Sequence, residues 1–483
     1  MFVLFMTDVH DNLGSMFYVA NSEVCDLILL GGDFFSFSNF SMMWDTLLLL
    51  RDLSKKEIFF VPGNWEPMEV LFWENLAGAF NLHGRMKSFG GYHFCGVGGA
   101  APRRFFFPLE FDVDDMEYYI LKLGGKILSE HVSVFISHMI PYDSLPLMKF
   151  IYRSKPDLVL CGHIHERKFI KRDNGMIVAN PGAMYNGDYC MADISSGSVG
   201  FVNTSYLAHN LDSIIDNVVF YPKQINVSMI DLLYIVDNGY IRHYPKFSEI
   251  IGKLGAIDVL ENNRRSNIYP VIAYRLAKIN KKYFINIQKK EDILSTIIES
   301  KNPMASRWAS RILGLFSSYK KRAKYVEALL NELSSTKDTN EINLTLMEIL
   351  QISEQYSNYE GMRDIFDNLY NILDDASITD LFLLLSNIAL SDQKFIKISE
   401  ISDQLNDILQ RESLESLGIL FGSISRYASH NFLKSLAIGL KSIVKNKFKD
   451  SKEIEKMFFR RRIEGLLPRG SILTVTLSPI FDM

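Results

Sequence analysis

Seven residues among the first 165 of the chain, grouped in five short motifs, are of the types that hold metal ions. TDVHD (7–11) supplies Asp8 and His10, and GGDFF (31–35) supplies Asp33. PGNWE (62–66) supplies Asn64, ISHMIP (136–141) His138, and CGHIHE (161–166) His163 and His165. Side chains alternate along an extended segment, so D-x-H and H-x-H each put both groups on one face. Two ligands on one face can grip one ion or flank the gap between two. Mixed nitrogen and oxygen donors suit Mn, Fe, Zn, Co or Ni better than Ca or Mg. Two such ions a few ångströms apart can hold a hydroxide and clamp the oxygens of a phosphate ester. Taken singly, an Asp before a turn is an ordinary cap and a lone His is structural. The set is what points to chemistry, because each member follows a short apolar run beside a tight-turn residue.

Those runs are FVLFMT (2–7), DLILLGG (26–32), EIFFVPG (57–63), YHFCGVGG (92–99), HVSVFIS (131–137), DLVLCG (157–162), GMIVANPG (175–182) and YCMADI (189–194). They read as buried strands bounded by glycine. Helical stretches fit between them at 41–55 and 112–128. The expected fold class is α/β, with a mixed sheet or two packed sheets, and ligands at the C-terminal ends of the strands. After about residue 215 leucine and isoleucine recur at spacings of three and four, as in 304–333, 340–356, 361–373, 377–390, 397–409, 413–427 and 431–444. These are helices on short links, either a solenoid-like stack or a compact bundle. The expected domains are 1–215, a connector or start of the helical region at 216–300, and an all-helical interaction domain at 301–483 with a basic tail.

A chain of 483 residues is long for one core. Four cysteines make no disulfide framework, and a reducing, cytoplasmic setting is expected. The start MFVLFMTDVHDN lacks the basic leader of a secretory signal, and no apolar stretch is long enough to span a membrane. Residues 1–200 hold 16 basic against 23 acidic residues, a balance of −7, although the whole chain carries only −4. A surface of that sign repels polyanions unless metal ions supply positive charge.

The order D-x-H, G-G-D, G-N, an isolated His and G-H-x-H resembles the calcineurin-like metallophosphoesterase superfamily, over residues 2–205. Within it VPGNWEP, LHGR (82–85), GYHFCGVGGAAP (91–102) and VANPG (178–182) look like a subgroup of small phosphoesterases common in prokaryotes, archaea especially. The resemblance implies a four-layer α/β/β/α sandwich. It implies one ion held by Asp8, His10, Asp33 and His165, and another by Asp33, Asn64, His138 and His163, with Asp33 as the bridge. A hydroxide between the ions would attack phosphorus. Manganese is the favoured metal. The resemblance does not reach the C-terminal 270 residues.

The departure lies at Trp65. Familiar members of the superfamily have His after the Asn, serving near the leaving group. Indole has one N–H donor and no proton to exchange at physiological pH, so it is no general acid. Trp65 is then a stacking platform, packing under the turn, or the mark of a slow site. His83 and Arg103 are further candidates, as proton donor and phosphate contact, with Arg104 beside the latter. Asp11, Asp143 and Glu166 are candidates to orient the histidines. Asn180 and Gly182 read as structural.

The reading is a metal-dependent phosphodiesterase acting on a phosphate-ester small molecule or nucleotide. Two alternatives stay open. One is a nuclease, which the basic tail 441–470 with Arg460, Arg461 and Arg462 would suit. The other is a scaffold that recruits protein partners through its helical half. The closing run 472–483 could add a strand to a partner.

Overall fold

All eight apolar runs form strands, numbered here among the thirteen of the described residues. They are β1 (Phe2–Met6), β2 (Leu27–Leu30), β3 (Glu57–Phe60), β4 (Asn75–Leu76), β5 (Ala79–Asn81), β6 (Arg85–Phe89), β7 (Tyr92–Val97), β8 (Val134–Ser137), β9 (Leu158–Cys161), β10 (Arg167–Lys171), β11 (Ile177–Pro181), β12 (Asp188–Asp193) and β13 (Ser198–Asn203). The computed structural model describes residues 1–36, 40–105, 107–127, 131–172, 175–204, 228–241, 260, 262–279, 290–315, 319–352, 361–370, 377–464, 477 and 479–480. The chain divides into two units, Met1–Tyr283 and Phe284–Met483.

The first unit holds two sheets. One runs β13-β12-β1-β2-β3-β5-β4 and the other β10-β11-β9-β8-β7-β6. Alternate residues of the first sheet (Val3, Phe5, Leu27, Leu29, Phe59, Val61) join Phe94, Val134, Ile136, Leu158, Leu160 and Ala179 of the second in one buried core. The period of two is the cause: one face of each strand goes inward against the other sheet. Helices α1 (Leu13–Ser22) and α2 (Phe40–Ser54) flank the first sheet. Helices α3 (Val113–Ile127) and α4 (Leu145–Ser154) flank the second. The result is the α/β sandwich that the sequence predicts. β1, β2 and β3 are mutually parallel neighbours, as are β8 and β9, so their C-terminal ends open on the same side of each sheet.

Five strands escape the sequence pattern. β6 (RMKSF) and β10 (RKFIK) are the edges of the second sheet and carry charge on their open faces. Edge strands do this to block pairing with other chains, and it erases the apolar run. β4 and β5 are too short to show a period. β13 closes the other edge of the first sheet with a half-exposed pattern.

Two helices that follow the sandwich belong to the same unit: α5 (Met229–Ile241) packs on α1, and α6 (Tyr269–Ile279) packs on α5. The close approach of α5 requires glycine at position 14, where a Cβ would fall 2.6 Å from the Leu233 carbonyl oxygen.

The second unit is helical throughout its described residues. Its helices are α7 (Lys290–Glu299), α8 (Pro303–Gly314), α9 (Tyr319–Leu333), α10 (Thr339–Ile352), α11 (Gly361–Tyr370), α12 (Ile378–Leu390), α13 (Ser402–Arg411), α14 (Leu414–Ile424), α15 (His430–Asp450) and α16 (Glu453–Glu464). Neighbours two apart in sequence stack: α8 on α10, α10 on α12, α12 on α14, and α14 on α16. A second row runs α7, α9, α11. Two rows of alternating helices are how a solenoid of helix pairs is built. Arg311 and Glu348 cross from α8 to α10 as a buried ion pair, 2.9 Å apart. The basic tail continues α15 into α16, and Arg460, Arg461 and Arg462 do not share one wet face. Arg460 is exposed, whereas Arg462 is buried over the ring of Phe458. Of the closing run 472–483, only Leu477, Pro479 and Ile480 are described, and these are helical. Among the described residues no helix is long and apolar enough to cross a membrane. The four cysteines are free and buried.

Candidate metal centre

The loops that follow β1, β2, β3, β8 and β9 carry all seven candidate ligands. Five of these residues hold positive φ without being glycine: Asp8 (54°), His10 (41°), Asp33 (53°), His163 (73°) and His165 (52°). Such conformations cost of order 1–3 kcal/mol each and persist only where the surroundings over-determine them. Here the loops are tied to one another. The N–H groups of Asp8, His10 and Asp11 donate to the carbonyls of Gly32, Asp33 and Phe34 at 2.9–3.0 Å. The His163 N–H donates to Asp8 Oδ2 at 2.9 Å, an oxygen that Thr7 also reaches at 2.8 Å. The buried Glu66 carboxylate accepts from Asp33 N (2.8 Å), Phe34 N (2.7 Å) and Gly63 N, joining the GGD loop to the PGN turn. Gly63 has no room for a side chain, since a Cβ there would run into the Asp33 carboxylate.

The donor atoms gather in two groups. Asp8, His10 and His165 form one, and Asp33, His138 and His163 the other, with ligand atoms within 4.8 Å of one another in each. His10 Nε2 and His165 Nε2 face each other at 3.1 Å, and His165 Nε2 lies 3.3 Å from Asp8 Oδ1. His138 donates from Nδ1 to the Gly31 carbonyl at 2.7 Å, which aims its Nε2 at the centre. That nitrogen sits 3.0 Å from Asn64 Oδ1, 3.2 Å from His163 Nδ1 and 3.3 Å from Asp33 Oδ2. Asp33 Oδ2 is also 3.8 Å from His10 Nε2, so the Asp33 carboxylate lies between the two groups. Its other oxygen accepts the Trp65 N–H at 3.0 Å.

The centre favours positive charge. Burial opposes a charge on His138, but the carboxylates of Asp33 and Asp8 and the Gly31 carbonyl push its pKa up to about 10. A hydrogen bond to Asp8 raises that of His165. Burial and the neighbouring His138 depress His163 to about 4, and burial lowers His10. Burial also works against charge on Asp8, yet His165, His138 and Thr7 hold it at about 2. Two carboxylates thus draw in cationic charge while two imidazoles keep their lone pairs.

The remaining candidates take other places. Trp65 stacks on Phe107 with centroids 4.3 Å apart and sets its ring 6.0 Å from His10. His83 is buried in the second sheet, where its Nδ1 accepts from Gly98 N at 2.9 Å and its ring meets Tyr119. Arg103 Nε donates to the Glu110 carbonyl within its own loop. Asp11 turns to Lys278 and Arg275. Among the described residues, no hydrogen bond joins Asp143 or Glu166 to a site histidine. Asn180 holds the loop after β9, donating to the Gly162 carbonyl at 2.9 Å and accepting from Gly182 N. Two organising carboxylates escape the sequence reading. Glu66 is one. The other is buried Glu110, whose Oε2 accepts from Arg104, Phe105 and Phe107 N–H groups and shapes the loop beside Trp65. An acid flanked by proline and aromatic residues, in NWEP and PLEF, is the signal for both.

Residues 1–167 match the family model of the calcineurin-like phosphoesterases. An uncharacterized protein of Methanocaldococcus jannaschii, MJ1162, is 25% identical over 176 residues, which is 33% of this chain and 78% of that protein. The crystal structure of TT1561 of Thermus thermophilus is 20% identical and covers 42% of this chain and 98% of its own, with a TM-score of 0.35. The solution structure of Thermotoga maritima protein TM1076 is 18% identical, with 42% and 97% coverage and a TM-score of 0.22. The sandwich has the calcineurin-like metallophosphoesterase fold, and it presents two groups of side chains fit to bind metal.

Proposed function

We propose that the chain is a metal-dependent phosphoesterase that prefers diesters to monoesters with poor leaving groups. The convergence of two donor groups about Asp33, from five strand ends of which three carry strained backbone, carries this reading. The residues fit divalent ions. The donors are mixed imidazole nitrogen and carboxylate or amide oxygen, which suits Mn, Fe, Zn, Co or Ni, with Mn favoured. Asp8 Oδ1 is buried and faces His165 Nε2 at 3.3 Å, so it and that ring nitrogen are placed to share a cation. Asp8, His10, Asp33 and His165 would hold one ion, and Asp33, Asn64, His138 and His163 the other. Such a pair supplies Lewis acidity toward phosphate oxygens and a water of lowered pKa.

The protein's own groups set the rest. Gly31 fixes the ring of His138, Thr7 and the His163 N–H fix Asp8, and Glu66 fixes Asp33 against the turn that presents Asn64. Trp65 brings no exchangeable proton to the leaving group, which favours substrates that depart without one. The motifs VPGNWEP, LHGR and VANPG support placing the sandwich near the small prokaryotic subgroup. The helical unit offers no comparable donor group among its described residues, and we assign it to partners or specificity.

The test uses purified full-length protein with Mn²⁺ on a chromogenic diester and monoester. Diester turnover that collapses in Asp33→Ala is the expected result. No turnover of either substrate, or Asp33→Ala equal to wild type, sinks the proposal.

A further inference from the structure

Helices α5 and α6 lie beyond residue 167, where the family match stops, yet they reach the first metal-site loop. Arg275 and Asp237 form a buried ion pair with Nε to Oδ1 at 2.7 Å. The other Asp237 oxygen accepts the Gly14 N–H at 2.8 Å, in the first turn of α1. Arg275 also lies 3.9 Å from Asp11 Oδ1, and Lys278, one turn along the same face of α6, donates to that oxygen at 3.2 Å. On α5, Asn238 accepts from Asn12 at 3.3 Å and donates to Ser15 at 3.0 Å. Asn12 in turn caps α1 through Ser15 N. Every side-chain anchor of residues 11–15 described here therefore involves α5, α6 or a residue they hold, apart from contacts of Asn12 with the Tyr185 carbonyl and of Asp11 with Ser36 N.

The loop being anchored is the strained one. Asp8, His10 and Asp11 all have positive φ, and their backbone N–H groups bond only to residues 32–34. Those bonds fix one side of the loop. The N–H groups of Met184 and Tyr185 hold the Thr7 and Asp8 carbonyls, and Asp11, adjacent to His10, is fixed beyond them by its charge. We propose that Arg275, set by Asp237 and assisted by Lys278, is a positioning residue for His10: α5 and α6 clamp Asp11 and so complete the ion site of Asp8, His10 and His165. The inference rests on the metal-centre reading above. It makes the segment after the sandwich part of the catalytic unit rather than a connector. It also gives anything that shifts α6 a route to one ion and not the other.

The test is Mn²⁺ titration of full-length wild type, Arg275→Met and Asp11→Asn by calorimetry and electron paramagnetic resonance, with circular dichroism to report folding. His165→Ala and Asn64→Ala serve as references for loss of one ion or the other. Wild type should bind two ions. Arg275→Met and Asp11→Asn should weaken one of them, the one lost in His165→Ala, by about 10–100-fold, as supports of metal ligands do. The spin-coupled signal should give way to that of a single ion at low Mn²⁺. Asp11→Asn carries the test alone if Arg275→Met does not fold. Unchanged affinities in a folded variant overturn the clamp and leave the metal centre standing. Equal loss at both sites, tracking a lower melting temperature, also overturns it. A wild type that binds no Mn²⁺ overturns both readings.

Discussion

The indole of Trp65 lies on the ring of Phe107, 4.3 Å away and within 27° of parallel, and stands nearly perpendicular to the imidazole of His10. Phe105 extends the row outward, 5.9 Å beyond Phe107 and 71% exposed. A line of rings thus leads from a candidate ligand to solvent, on a loop shaped by Glu110. Trp65 is half-buried and close to the centre. A flat group esterified to the reacting phosphate can lie along this row. Stacking on an aromatic side chain contributes about 1–3 kcal/mol per base, or about 5–150-fold in affinity. Trp65→Ala should therefore raise KM by that factor for a nucleotide or aryl diester, and leave a purely alkyl diester nearly unchanged. Equal effects on both would reduce Trp65 to packing.

The same position controls the leaving group. General acid help is typically worth about 10²–10⁴ in rate, and an imidazole can give it where an indole cannot. Trp65→His should raise kcat on an alkyl monoester by about 10²-fold, the lower end of the range such help covers. It should change an activated aryl monoester far less. The measurement is the dependence of log kcat on leaving-group pKa, which should flatten in the variant. A slope equal to wild type would mean that position 65 does not reach the departing oxygen.

How much of this is legible in the sequence follows from where each residue sits. Asp8, His10, Asp33, Asn64, His138, His163 and His165 can be found because each follows a buried strand whose apolar run is plain. The edge strands β6 and β10 cannot, because lysine and arginine on their open faces break the pattern. Asp11 reads as a partner for a histidine, and its pairing with Lys278 and Arg275 across more than 260 residues of chain is not written in any local spacing. Arg462 reads as part of a basic run, but helical periodicity turns it inward over Phe458. Local period and turn chemistry are therefore readable, whereas long-range ion pairs and the side a single charged residue faces are not.

Glu66 offers a stability test of the loops. Both its oxygens accept backbone N–H groups, from Asp33 and Gly63 on one and Phe34 on the other. Glutamine in its place would turn an amide N–H₂ against one of those donors. A buried donor left without its acceptor costs about 1–3 kcal/mol. Glu66→Gln should lower the unfolding free energy by that amount in urea and weaken Mn²⁺ binding with it. A variant as stable as wild type would show that the loops hold together without this carboxylate.

The pH dependence of stability should invert with metal. Burial and the Asp33 charge push Glu66 up to about 8 from an ordinary value of 4.5, against the pull of its backbone donors. Its stabilising proton is fully present below the ordinary value and is lost as pH rises through 8. His138, raised from 6.5 to about 10, has the same sign: its contribution is complete below 6.5 and fades as pH climbs toward 10. His163, depressed to about 4, acts oppositely, but its contribution is already complete above 6.5. Between pH 6.5 and 8 the first two dominate. Protein in excess EDTA should lose stability across that window, by up to about 1.4 kcal/mol per pH unit for each proton released. Divalent ions displace such protons and bind more tightly as pH rises. Excess Mn²⁺ should therefore make the profile flat or rising. Urea midpoints at several pH values, with EDTA and with Mn²⁺, decide it. Parallel profiles in the two conditions would mean that the ions do not bind among these groups.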